Sequence, residues 1–136
     1  MSVELRAEYQ GNKRVKLIHG YSGATLITDA PLDNAGMAQS FSPTDLIAAG
    51  LGSCVLTVMG IMAERKGYDL GACSARIEKQ MTQTPRMIGS IRLEVHLPAA
   101  LAEEARSMLE RAALSCPVKP SLHPDVRVDI SFTYDL

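Results

Sequence analysis

The chain has 136 residues, enough for one domain with a real core and too few for a second independent one. Apolar residues make up 46% and charged residues 21%, the net charge is −1, and no long run of one sign occurs. That balance excludes the electrostatic footprint of a nucleic-acid binder. Residues 1–136 are therefore read as a single domain, with no nucleic-acid partner and no need of a structural metal.

Met1 to Arg6 is polar and reads as a strand, with no apolar leader, so the expected compartment is the cytoplasm. Three short extended pieces follow one another. Val3 to Ala7 alternates apolar and polar residues up to a turn at Gly11-Asn12. Val15 to Ile18 runs to a turn at Gly20–Gly23, and Ala24 to Thr28 completes a three-stranded antiparallel meander. Asp29 to Ser40, with Pro31, Asn34 and Gly36, reads as a loop.

Ser42-Pro43-Thr44-Asp45 then opens a helix: Ser42 suits the N-cap, Pro43 the first helical position, and Asp45 closes a capping box. No breaker follows until Lys66-Gly67, which predicts a helix of about 36 Å at roughly 1.5 Å per residue. Leu46 to Ala63 is uncharged and touches the lower edge of transmembrane length. Its Gly50, Gly52, Ser53, Thr57 and Gly60 make it weakly hydrophobic, so the expectation is no membrane span. A helix buried on all sides, crossing the core or reaching into a second subunit, is expected instead.

Ala72 to Thr82 and Ile88 to Leu97 read as strands joined through Gln83–Arg86. Leu101 to Leu114 reads as an amphipathic helix with a stripe of Leu101, Ala105, Met108 and Ala112 and with Glu103, Glu104, Glu110 and Arg111 outside it. A last alternating strand carries Val126, Val128, Ile130 and Phe132. Three strands, long helix, two strands, helix and strand argue an α+β fold.

Cys54, Cys73 and Cys116 form no C-x-x-C pair and no zinc-spaced cluster, so neither metal nor cofactor is expected. Cys54 lies mid-helix on a face with Ile47, Gly50, Val58 and Ile61. Small residues around it weaken the helix by about 1 kcal/mol per Gly, a cost often offset where another helix or a substrate approaches closely. Cys116 continues the buried stripe of the second helix, and Pro117 stops that helix. Each cysteine taken alone reads as packing before chemistry, since free cysteine is commonly buried. Two cysteines pointing inward from two helices could be redox-active if their Cα atoms come within about 4.4–6.8 Å. Cys73, at a strand start, reads as structural. His19, His96 and His123 have no spacing that ties them to Cys54.

Phe41 to Cys54 resembles the signature of the OsmC/Ohr family, in which an S/N-P turn opens a central helix and a small-residue run leads into a cysteine. Leu114-Ser115-Cys116-Pro117-Val118 resembles the family's second cysteine with its proline. The resemblance covers the whole chain. It implies an OsmC-like fold, with antiparallel sheets around a long central helix, in an intertwined homodimer. It further implies a peroxidase in which Cys54 attacks an organic hydroperoxide and becomes a sulfenic acid. Cys116 then resolves it to a disulfide, and a small thiol or dithiol reduces that disulfide. In such peroxidases an arginine from the N-terminal sheet, held by a glutamate near the start of the helix, activates the first cysteine. Arg14 is the counterpart by position, with Arg6 and Arg86 as competitors. The glutamate's position, ten residues before Cys54, is Thr44 here. Asp45, nine before, falls on the opposite helix face, so the carboxylate is absent or supplied elsewhere. Two other readings stand beside the enzyme: a dimeric binding module for a small hydrophobic ligand, and a dimer whose cysteines only pack.

Overall fold

A computed structural model describes residues 1–136, which fall into two compact units, Met1–Ile47 and Ala48–Leu136. The first holds the meander expected from the turn signals: β1 (Leu5–Gly11), β2 (Arg14–His19) and β3 (Thr25–Asp29), paired antiparallel in the order β1-β2-β3. Residues 30–42 return along β3 through a single 3-10 turn at Leu32–Asn34 and end at the N-terminus of α1 (Pro43–Lys66). The capping box forms as read. The Ser42 N–H donates to Asp45 Oδ2 at 2.9 Å, and the Asp45 N–H donates to Ser42 Oγ at 3.1 Å. Two donors at the helix start are thereby satisfied reciprocally.

The second unit contains most of α1, then β4 (Ser74–Met81), β5 (Ile88–His96), α2 (Glu103–Leu114) and β6 (Arg127–Thr133). At the end of α1 the Tyr68 N–H reaches back to the Ala63 carbonyl at 2.9 Å past Gly67, closing the helix where the sequence stops it. The second sheet runs β4-β5-β6 and corrects one expectation: it is mixed, because β5 and β6 pair in parallel. The chain leaves β5, crosses through α2 and returns as β6, and such a crossover sets its two strands parallel. β5 is the middle strand, and its Ile91, Leu93 and Val95, with Leu97 beyond, are withdrawn from solvent. They pack with Leu51, Val55 and Met59 of α1 and Leu109 of α2.

Two details of patterning differ from expectation. Within the chain α1 is buried on one face only: Ala48, Leu51, Gly52, Val55, Met59 and Ala63 face the core, while Ile47 and Ile61 are exposed. By length and composition α1 could cross a membrane, and 33% of its most apolar stretch is buried within the chain. In α2 the buried set is Ala105, Leu109, Ala112 and Ala113 rather than one through Met108. Met108 is half-buried and its sulfur accepts from the Tyr68 hydroxyl at 3.3 Å. Glu110 turns inward enough to accept from Tyr134 at 2.5 Å, and that burial and pairing push the Tyr134 phenol well above its ordinary range.

Candidate functional site

Close packing along α1 fixes where Cys54 sits. At Gly52, two residues earlier, a Cβ atom would lie 2.4 Å from Cδ1 of Ile77 on β4. A side chain at position 52 would therefore require Ile77 to shift. The close approach foreseen from the small residues is to a strand, and Gly50 has nothing within 4 Å of an added Cβ. Cys116 arrives from the other helix. Leu109, Ala112 and Ala113 anchor α2, and the Ser115 and Cys116 N–H groups bond to Ala112 and Ala113 carbonyls at 3.0 and 3.3 Å. Pro117 cannot extend the helix, so the chain turns at the buried Cys116.

The two sulfurs come within hydrogen-bonding reach of each other, although 62 positions separate them in sequence. All three cysteines are free thiols. Burial pushes the Cys54 thiol above its ordinary 9.0, and the hydrogen bond with Cys116 pushes the same way, while a hydrogen bond from the Val118 backbone opposes both. No positive side chain of the Ala48–Leu136 unit offsets this, so the protonated thiol is favoured there. Cys116 also lines an open cleft of about 760 Å³, together with Leu122, Val126, Lys119 and His123; Cys54 is not among its walls. Cys73 is half-buried at the edge of the same core, with its thiol raised by burial.

Arg14 belongs to the other unit. On β2 it stands directly opposite Asp29 of β3. Its Nε lies 3.7 Å from Asp29 Oδ2, and its Nη2 donates to Gln39 Oε1 at 2.6 Å. The Gln39 N–H donates back to Asp29 Oδ2 at 3.0 Å, closing a ring of three residues. Asp29 is only 2% exposed, and its carboxyl is held below the ordinary 3.8 by the Gln39 N–H first, against burial, and then by the Arg14 charge. Its Oδ1 is buried with no partner.

Asp29 was missed in the sequence, where it read as the start of a loop. The signal was nonetheless present. A hairpin closed over Gly20–Gly23 sets residue 14 opposite residue 29, which places a carboxylate beside the arginine. Thr44 carries only a hydroxyl, 3.3 Å from Ser42 Oγ, and Asp45 is engaged in the cap. Of the competing arginines, Arg6 is exposed on β1 and Arg86 is exposed between β4 and β5. The histidines have hydrogen-bond partners other than the thiols: His19 with Ser22, His96 with Asp135, and His123, which shares the Cys116 cleft, with the Asp125 N–H. No group of three or more His, Cys, Asp or Glu side chains is placed to hold a metal ion.

An α+β fold in which a mid-helix cysteine meets a second cysteine at the end of another helix defines a two-cysteine thiol protein. The chain belongs to the OsmC-like protein family, whose sequence model matches residues 36–131. A crystal structure from Psychrobacter arcticus 273-4, of a protein whose name assigns it to osmotic stress and detoxification response, is 35% identical, with 98% of this chain and 96% of that one covered and a TM-score of 0.91. An organic hydroperoxide resistance protein OsmC from Legionella pneumophila shares the fold at 20% identity, 98% and 97% coverage and a TM-score of 0.76. So does the organic hydroperoxide resistance protein OhrB of Bacillus subtilis, at 16% identity, 98% coverage of each chain and a TM-score of 0.68. An uncharacterized protein of Acinetobacter baylyi is 28% identical over 108 residues, 77% of this chain and 75% of that one.

Proposed function

We propose that the protein is a thiol-dependent peroxidase of organic hydroperoxides, with Cys54 as the attacking thiol, Cys116 as the resolving thiol and Arg14 as the activating cation. The observation that carries this reading is the hydrogen-bonding reach between Cys54 and Cys116. The Cys54 thiolate forms a bond to one peroxide oxygen while the O–O bond breaks. The departing alkoxide takes up a proton and leaves as an alcohol, and Cys54 becomes a sulfenic acid. The Cys116 sulfur then bonds to the Cys54 sulfur, the S–O bond breaks, and water leaves. Two small thiols, or one dithiol, return the disulfide to two thiols and are themselves oxidised. A resolving thiol this close protects the sulfenic acid from further oxidation.

Cys54 needs a cation that its own unit does not supply, because a thiol raised by burial is a poor nucleophile at neutral pH. A homodimer fits both that need and the open apolar face of α1. A second copy on that face would cover Ile47 and Ile61 and bring the first unit's arginine within the assembly. The cytoplasm, where thiol reductants keep such cysteines reduced, is the fitting compartment.

The deciding experiment mixes reduced protein with excess cumene hydroperoxide and counts free thiols. Loss of two thiols per chain, abolished by Cys54→Ser, is the expected result. Unchanged thiols over minutes would overturn the peroxidase. A small hydrophobic molecule extracted from the purified protein would then favour the binding-module reading.

A further inference from the structure

We propose that Asp29 is the positioning residue for Arg14, doing from β3 what a glutamate at the position of Thr44 does in the hydroperoxidases this chain resembles. The inference rests on reading Arg14 as the cation that serves Cys54. Three observations carry it. Asp29 faces Arg14 across the β2–β3 pairing, so the backbone register, rather than a flexible reach, sets their distance. Gln39 ties the two together, accepting from the guanidinium and donating to the carboxylate, so Arg14 is held from two sides. Finally, the carboxylate is almost wholly buried while its Oδ1 has no partner. Clamping the Gln39 N–H requires one neutral oxygen, which asparagine would supply. A buried charge with a spare acceptor is costly unless the positive partner is what it is for. The spare oxygen allows Arg14 to move from the present 3.7 Å contact into a two-point pairing.

The experiment compares parent, Arg14→Gln, Asp29→Asn, the double variant, and Asp29→Asn with Thr44→Glu, and it has two readouts. In the first, Cys54 is alkylated with iodoacetamide over a pH series and followed by the mass of its peptide, with no hydroperoxide present. Cys116, the other titratable group beside Cys54, is kept throughout, and Arg14 is the charged side chain facing Asp29. Arg14→Gln and Asp29→Asn should displace the pH midpoint upward together. The double variant should go no further, and Thr44→Glu should recover most of the loss. In the second readout, thiol oxidation by cumene hydroperoxide at neutral pH should slow about tenfold in each single variant, as one pKa unit dictates.

A midpoint that moves in Arg14→Gln but not in Asp29→Asn overturns the proposal, as does a double variant whose effects simply add. No movement in either removes Arg14 as the cation and this proposal with it. Parent protein that ignores hydroperoxide while the midpoints move together overturns the peroxidase and leaves the pairing standing. Should Asp29→Asn fail to fold, Asp29→Ser removes the carboxylate while keeping an acceptor for the Gln39 N–H and should move the midpoint in the same direction; an unmoved midpoint there counts against the proposal.

Discussion

In the first 47 residues the side chains most withdrawn from solvent are Thr28, Asp29 and Ser42, all polar, while Leu5, Tyr9, Met37 and Phe41 lie exposed. From Ala48 onward the withdrawn side chains are hydrocarbon and sulfur, from Leu51 through Cys116. The first unit is a sheet organised around one charged ring with little apolar core of its own. The second is a packed core into which two thiols are set. A thiol inside hydrocarbon is protected from chance oxidation and is also hard to ionise, whereas the Arg14 guanidinium is held on the middle strand β2 by Asp29 and Gln39. Each environment therefore suits the group it holds.

The contrast can be tested from its largest effect downward. Cys54→Ser should remove all hydroperoxide-driven thiol loss, whereas Cys116→Ser should leave the first step and let Cys54 gain two oxygens by mass. A Cys116 variant indistinguishable from the parent would deny that thiol its resolving role. Next in size is core truncation. Leu109→Ala, from a site with no exposure, should cost about 2–5 kcal/mol in denaturant unfolding. Ile27→Ala, 46% exposed in the first unit, should cost well under 1 kcal/mol if that sheet stays open. A large loss at Ile27, with a melting temperature that rises with protein concentration, would show a second copy covering the sheet.

A smaller effect comes from the glycines of α1. Gly52→Ala drives a methyl group against Ile77 and should destabilise by about 1–3 kcal/mol. Gly50→Ala meets nothing within the chain and should stabilise by up to about 1 kcal/mol. If Gly50→Ala instead destabilises, the Cys54 face of α1 is packed against another copy. Smallest is the pH response. Asp29 has a folded pKa below its ordinary value, so its contribution is present above about pH 4 and is lost as pH falls through the lowered value. Acid titration of the melting temperature should therefore show a shallower drop below pH 3.8 in Asp29→Asn than in the parent. The raised Cys54 works oppositely: its contribution is full below pH 9 and is lost as pH rises through the folded value.

Much of this molecule was written in local signals. Alternation along Ile91, Leu93 and Val95 gave a half-buried strand, and the Ser42–Asp45 box gave a helix start to the residue. The run into Cys54 and the Cys116-Pro117 step carried the family. Such features depend on neighbours a few positions apart, so periodicity and capping chemistry reveal them without a fold. In the α2 stripe Leu101, Ala105 and Ala112 are buried as expected, while Leu109 takes the place of Met108, whose sulfur accepts from the sequence-remote Tyr68.

Sequence by itself determined the order of elements and the ends of α1. Tertiary structure alone decided that β6 returns parallel to β5, that two sulfurs 62 positions apart come within reach, and that Asp29 stands beside Arg14. The β5–β6 ladder, the meeting of the two thiols and the pairing of Asp29 with Arg14 depend on which distant segments share a core or a ladder. No periodicity encodes that, because pairing partners are selected by the packing of the whole chain rather than by any stretch of it.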